Sequence, residues 1–279
     1  MNILELNHLT KTYPGFQLRD LSLVLPAGCI LGLVGKNGAG KSTTIKLILD
    51  MIDRDAGSVT IFGRDNKTGI RDLKEDIGIV LDEVGIPAGL TAKQVGKIMA
   101  GTFRNWNPAV YSDYLSKLSV PANKEFRHLS RGMKMKLGLA IALSHEPKLL
   151  ILDEATSGLD PVVRDEVVEM IGEFTRNEDH AVLISSHIVS DLEKICDYIA
   201  FLDNGSLLLC EEKDRLLDSY GMIHCTPEDL QAMDPAAILH RRESYYAIDA
   251  IVRRDAVPTT TPVTPITLEE LFIAMVKEG

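Results

Sequence analysis

Residues 35–42 read Gly35-Lys36-Asn37-Gly38-Ala39-Gly40-Lys41-Ser42, a complete GxxxxGK[ST] pattern, with Thr43 next. This spacing suits one chemistry, the gripping of a polyphosphate. Gly35, Gly38 and Gly40 let the backbone turn so that its N–H groups point inward, with Asn37 and Ala39 between them. A helix opening at Lys41 would add the positive end of its dipole. Lys41 would reach the β and γ phosphates, the Ser42 hydroxyl would ligate Mg²⁺, and Thr43 would add a phosphate contact. A Gly-rich turn running into a helix cap is the plain structural alternative. Chance alone yields the pattern in about one chain in a hundred of this length, and here a strand-like run precedes it and helical spacing follows it. The sequence therefore predicts a site for a nucleoside triphosphate.

Downstream, Leu149-Leu150-Ile151-Leu152-Asp153-Glu154 is an apolar run that ends in two acids. Asp153 falls where a phosphate-loop fold needs a second partner for Mg²⁺. Glu154 is placed to take a proton from water attacking the γ phosphate. A strand entering a solvated acidic loop gives the same pair, but a complete phosphate loop upstream favours the catalytic reading.

The elements that must hold these groups are legible as alternation. Residues 29–34 form a compact apolar run ahead of the Gly-rich segment, and 41–51 carry apolar residues at helical spacing. Further apolar runs stand at 149–153, 181–185 and 198–203, with amphipathic segments between them. Such alternation predicts an α/β domain whose sheet is largely parallel. The first 25 residues alternate in polarity and predict antiparallel strands beside that core. Residues 91–146 hold no strand-like run and predict helices over 91–103, 109–118 and 131–145, a helical insertion between two parts of the sheet. From about 221 the pattern weakens into short pieces, a Pro/Thr stretch at 258–265 and a last helix over 267–277 with Thr267 and Glu270 in capping-box spacing. This divides the chain into an ATPase-like unit over 1–220, with its helical part about 83–146, and a small accessory module over 221–279.

Composition narrows the function classes. The 279 residues are 45% apolar and 25% charged, as in ordinary globular domains. Thirty basic against forty acidic residues leave a net charge of −10, which disfavours a general nucleic-acid surface. Cys29, Cys196, Cys210 and Cys225 lack metal-ligand spacing and read as reduced, buried small residues. No apolar run reaches the roughly 18 residues that cross a bilayer, and the first residues lack a basic-then-apolar leader. The expected location is the cytoplasm.

Three more segments carry a resemblance. Leu129-Ser130-Arg131-Gly132-Met133 precedes a helix, Ala155-Thr156-Ser157-Gly158-Leu159-Asp160 follows the Asp-Glu strand, and Ser185-Ser186-His187 ends the next strand. In this order they resemble the signature motif, D-loop and switch histidine of ABC transporter ATP-binding subunits, over residues 3–215. Among these the chain is most similar to bacterial ABC-2-type exporter ATPases of the lantibiotic, phenol-soluble-modulin and acetoin-associated group. The resemblance implies a P-loop NTPase fold with a mixed central sheet, an N-terminal antiparallel β subdomain, a helical signature subdomain and a small C-terminal module. It implies ATP and Mg²⁺ as cofactors, with Tyr13 stacking on adenine. Ser130 and Gly132 would cap the γ phosphate of a nucleotide held by a second subunit, and Asp160 would be the D-loop acid at that seam. His187 would contact the γ phosphate and hold the attacking water. The implied partners are a separate ABC-2-type membrane permease and a second ATPase subunit, in a homodimer or heterodimer, on the cytoplasmic face of the membrane. A soluble ATPase acting as an ATP-dependent dimerising regulator is the alternative. Two departures stand out. Asp82 and Glu83 occupy the place where the family usually has a Gln that meets Mg²⁺, leaving two candidates for that role. The signature carries Arg131 and Met133, and Arg131 either adds charge near phosphate or faces solvent.

Overall fold

The computed structural model describes residues 1–68, 70–82, 85–231, 233–243, 248–258 and 261–278. The chain opens with β1 (Asn2–Tyr13) and β2 (Phe16–Pro26), an antiparallel pair turned at Gly15, where φ is +82°. β3 (Ile30–Val34) leads into the phosphate loop and α1 (Lys41–Ile48). β4 (Ala56–Ile61) pairs antiparallel with the far side of β1, and β5 (Arg64–Asp65) lies at the edge beyond it. After α2 (Ile70–Leu73) and β6 (Ile77–Val80) come three helices, α3 (Ala92–Met99), α4 (Pro108–Lys117) and α5 (Arg131–Leu143). They separate β6 from β7 (Leu149–Asp153), which are adjacent parallel strands, so the predicted insertion is real. α6 (Pro161–Phe174), β8 (Ala181–Ser186), α7 (Val189–Ile195), β9 (Tyr198–Asp203), β10 (Ser206–Glu212) and α8 (Lys213–Ser219) follow.

One ten-stranded sheet has the order β5-β4-β1-β2-β10-β9-β3-β8-β7-β6. Its centre, from β9 to β6, is parallel and buried on both faces. Ile30 and Val34 of β3, Leu150 and Leu152 of β7, and Val182 and Ile184 of β8 join one core. Leu31 and Leu33, Leu149 and Ile151, and Ala181 and Leu183 join the core on the other face with Ile45 and Ile48 of α1. Burial on both sides is why these strands read as unbroken apolar runs. The antiparallel and parallel parts meet at β10. Asn204 and Gly205 both have positive φ and turn β9 into β10, as an Asn-Gly hairpin requires. β10 lies beyond the apolar run at 198–203 and is not among the expected strands. The α/β fold class, with its antiparallel flank and helical insertion, agrees with the expectation.

The helices form for local reasons. Thr91 and Gln94 exchange hydrogen bonds in a capping box at the start of α3. Asn107 caps α4 ahead of Pro108. Tyr111, Leu115, Phe126, Leu129 and Leu137 build a separate core for this helical part. His145, just after α5, is buried, stacks on Phe103 with ring centroids 4.0 Å apart and donates from Nδ1 to the Glu75 carbonyl at 3.0 Å.

Beyond α8, β11 (Tyr220–Cys225), α9 (Pro227–Gln231), β12 (Ile238–Glu243) and β13 (Ile248–Arg253) build an antiparallel three-stranded sheet ordered β11-β13-β12. Ile223, Leu230, Ala250 and Val252 fill its own small core. α10 (Leu268–Glu278) packs into a core that Ile251 of β13 also joins. Leu268, Leu271, Phe272 and Ala274 enter the same core as Leu192 of α7 and Phe201 of β9. The Thr267–Glu270 capping box is present, with Thr267 N donating to Glu270 Oε2 at 2.8 Å and Glu270 N to Thr267 Oγ1 at 3.2 Å. Of the four cysteines only Cys196 is fully buried; Cys29, Cys210 and Cys225 are half-buried, which corrects the expectation for those three. Their places on β10 and β11 or beside β3 leave one side less covered.

Candidate nucleotide site

The phosphate loop is shaped by where side chains cannot go. A Cβ on Gly35 would stand 2.5 Å from the Leu202 carbonyl oxygen and 2.9 Å from the Ala39 Cβ. Gly40 has φ +113° and caps α1; Phe16 and Leu18 press against the space its side chain would fill, at 3.1 Å. Ala39 N donates to Lys36 O at 3.1 Å, and Gly205 N donates to Ala39 O at 3.0 Å, fastening the loop to the β9–β10 turn. Asn37 and Gly38 form the exposed tip, while Ala39 and Gly40 are buried. Lys41 is only 5% exposed, and its ammonium lies back across the loop, donating to Gly35 O at 2.7 Å and Lys36 O at 3.3 Å. Ser42 is exposed and Thr43 half-buried.

Asp153 and Glu154 reach this loop through strand register. β7 and β8 run parallel with Asp153 beside Ser185. The Ser185 hydroxyl donates to Asp153 Oδ1 at 2.6 Å and accepts from Glu154 N at 3.1 Å. Glu154 has φ +54°, a left-handed backbone rare for a side-chain-bearing residue. Such strain concentrates at functional sites. Its carboxylate then bridges the site: Oε2 accepts from His187 Nδ1 at 2.6 Å, and Oε1 lies 3.0 Å from Lys41 Nζ. That Lys41 contact is off hydrogen-bonding angle, so Oε1 is buried without a hydrogen bond. A buried, unbonded carboxylate oxygen at the mouth of a phosphate loop is suited to a water or ligand proton. Ser186 Oγ accepts from Ile188 N at 2.9 Å and shapes the turn that carries His187.

Three sequence candidates, Lys41, Glu154 and His187, therefore form one connected chain, with Asp153 held beside it by Ser185. The donor set also fits Mg²⁺, a hard cation that takes oxygen ligands and leaves most of its shell to phosphate and water. The Ser42 hydroxyl and the Asp153 carboxylate supply such oxygens. No group of three or more His, Cys, Asp and Glu that could by itself hold a metal ion occurs among the described residues.

The other candidates lie elsewhere. Tyr13 ends β1, is 38% exposed and pairs in register with Phe16, the residue packed under Gly40. Ser130 caps α5, its Oγ accepting from Met133 N at 3.2 Å, and Gly132 faces Val163 and Leu159. Asp160 caps α6, its Oδ1 accepting from Val162 N and Val163 N at 3.1 Å each. Asp82, one of the two candidates for the metal role, accepts from Arg131 Nη2 at 3.0 Å. Arg131 is thus paired with Asp82 while its side chain stays half exposed to solvent. The turn before α5 brings the two opposite charges close. Glu83 lies outside the described residues.

Sequence reasoning missed the positioning groups. Ser185 was visible only as part of the motif ending in His187. Arg164 on α6 donates to Leu159 O at 3.3 Å and sits 3.6 Å from buried Asp191 on α7, tying the segment after Glu154 to the helix after His187. Nothing in residue spacing announces that pair.

A family model described as ABC transporter matches residues 18–157. The chain is 28% identical to the ABC transporter ATP-binding protein YtrB of Bacillus subtilis (strain 168), over 98% of its own length and 97% of the relative's. It is 34% identical to the lantibiotic transport ATP-binding protein SrtF of Streptococcus pyogenes, over 76% of this chain and 92% of that one. A solved ATP-binding subunit of an ABC transporter superposes with a TM-score of 0.70 at 27% identity, covering 77% of this chain and 91% of the other.

Proposed function

The chain belongs to the ABC transporter family as an ATP-binding ATPase, and from that premise we propose that it powers export through a separate ABC-2-type permease by ATP-driven pairing of two subunits. The observation that carries this reading is the division of the site. Lys41, Glu154 and His187 are connected on one side, while Ser130 and Gly132 open a different helix, whose neighbours are Leu159 and Val163. The N-terminus of α5 suits an anion, and in a head-to-tail pair it would meet a nucleotide held by the other subunit. No described helix is long and apolar enough to cross a membrane, and in this reading the translocation path is supplied by the permease. The names of relatives such as SrtF, a lantibiotic transport ATP-binding protein, support transport of a lantibiotic-like cargo as the work performed.

Within one site, Lys41 would leave its carbonyl partners for the β and γ phosphates. Tyr13, at the end of β1, would face the base. Mg²⁺, held by Ser42 and Asp153, would neutralise charge on the phosphates. Glu154 would accept the proton of the attacking water, with His187 orienting its carboxylate through Oε2. Catalysis of this kind is chiefly positioning and charge stabilisation.

The test uses Glu154→Gln, which keeps an oxygen for His187 but cannot take a proton. With saturating ATP and Mg²⁺ the variant is expected at twice the 30.7 kDa chain mass by light scattering. A mass that stays at one chain would overturn the paired reading. Co-purification of a membrane protein with the tagged variant, dependent on ATP, tests the permease.

A further inference from the structure

Arg131 occupies the first position of α5, where a cation opposes the helix dipole. Its location therefore calls for a reason outside the helix. Two contacts supply one. Its Nη2 donates to Asp82 Oδ1 at 3.0 Å, across 49 residues of sequence, with both side chains half exposed. Its guanidinium also lies flat over Gly158, where a Cβ would meet Nη1 at 2.9 Å, Cζ at 3.0 Å and Nε at 3.2 Å. Gly158 has φ +66° and stands in the loop between Glu154 and Asp160. One side chain thus touches the end of the loop after β6, the signature turn and the D-loop.

We propose that Arg131 is a positioning residue that fastens the Asp82 turn and the Gly158 loop to the start of α5, so that these segments meet a second subunit as one preassembled face. This rests on the paired reading above and deepens it. Each segment is a loop end, and ordering them separately at the moment of pairing would cost affinity; ordering them beforehand recovers it. A planar guanidinium can pair with Asp82 through one edge while its face covers a glycine, and a lysine ammonium can do only the first.

Two measurements on the full chain test this. The first is amide hydrogen exchange without nucleotide. Arg131→Gln is expected to speed exchange around 80–82 and 156–159, and Arg131→Lys only around 156–159. Unchanged exchange in Arg131→Gln, or equal loosening in both variants, overturns the proposal. The second, in the Glu154→Gln background, compares binding of a fluorescent ATP analogue by the single chain with the chain concentration needed for pairing. Arg131→Gln is expected to leave the first unchanged and raise the second about fivefold, the scale of one half-exposed ion pair. Adding Asp82→Asn to Arg131→Gln should change pairing no further, since partners in one interaction are not additive. Equal loss of nucleotide binding, or fully additive effects, would show that Arg131 acts otherwise. If Glu154→Gln with Arg131 intact fails to pair, the paired reading falls, and the exchange result still decides whether Arg131 holds the two loops.

Discussion

At the scale of single residues, the site is a short chain of contacts from Lys41 to Glu154 to His187. Lys41→Ala removes the cation and leaves Glu154 Oε1 and the Gly35 carbonyl facing a void. A charge-assisted hydrogen bond contributes about 1.5–3 kcal/mol, so ATP affinity should fall roughly ten- to a hundredfold by nucleotide titration, with little change in fold. Ser185→Ala separates positioning from binding. It removes the hydroxyl that holds Asp153 and Glu154 N together, while Glu154 N keeps the Ser185 carbonyl at 3.1 Å. We expect ATP affinity near wild type and kcat lowered about tenfold, on the scale of a misplaced general base. A parallel loss of affinity would show that Ser185 works on the nucleotide itself. Lys41, Asp153, Glu154 and His187 were legible because each sits at a fixed offset from an apolar run. Ser185 and Arg131 were not, because their partners are 32 and 49 residues away and only the folded register brings them together.

At the scale of elements, strands that are buried on both faces announce themselves, and edges and joints do not. β10 is half exposed along most of its length, and its short apolar run Leu207-Leu208-Leu209-Cys210 passes directly into Glu211 and Glu212. Its joint is Gly205, whose N–H holds the phosphate loop at Ala39 and whose carbonyl accepts from Arg19 N at 2.7 Å. A side chain there would collide with the Gln17 carbonyl, and φ is +77°. Gly205→Ala should therefore destabilise the chain by more than the roughly 1 kcal/mol of backbone preference alone and weaken ATP binding through Ala39. Thermal melting and nucleotide titration together would check it; a shift in neither would contradict the joint. The helical part carries a pH signature. Burial holds the His145 imidazole below its usual range. The unfolded chain thus binds a proton near pH 6.5 that the folded chain refuses, so stability is full above that pH and falls as the pH drops below it. Melting followed from pH 7.5 to 5 should show this loss, and His145→Gln, though less stable at pH 7.5, should show less of it. An identical slope in the variant would assign the acid sensitivity to another group.

At the scale of the whole molecule, the division into 1–220 and 221–279 follows the composition but cuts across the packing. The small sheet of β11, β12 and β13 has its own core, yet Ile251 of β13 and α10 join the main one, with Phe272 and Phe201 rings 5.1 Å apart. Leu268 N donates to Glu193 Oε2 at 3.0 Å, and Glu193 belongs to α7, the helix that begins two residues after His187. The last helix is thus a buttress for the helix that follows His187. Sequence pattern marked α10 as a capped amphipathic helix, but no local signal states which face of the protein an amphipathic helix will choose. Phe272→Ala tests the buttress. Removing a buried aromatic ring costs about 3–5 kcal/mol, which should lower the melting temperature of the ATPase as a whole and not produce a separate early transition. At a temperature where the variant remains folded, ATP binding by Lys41 should be close to wild type, since the phosphate loop lies across β9 from the mutation. Turnover should fall further than binding, because loosening α7 frees His187 from Glu154 Oε2. If instead a minor transition melts early while turnover is untouched, α10 belongs energetically to the small sheet, and the boundary near residue 220 is a mechanical one.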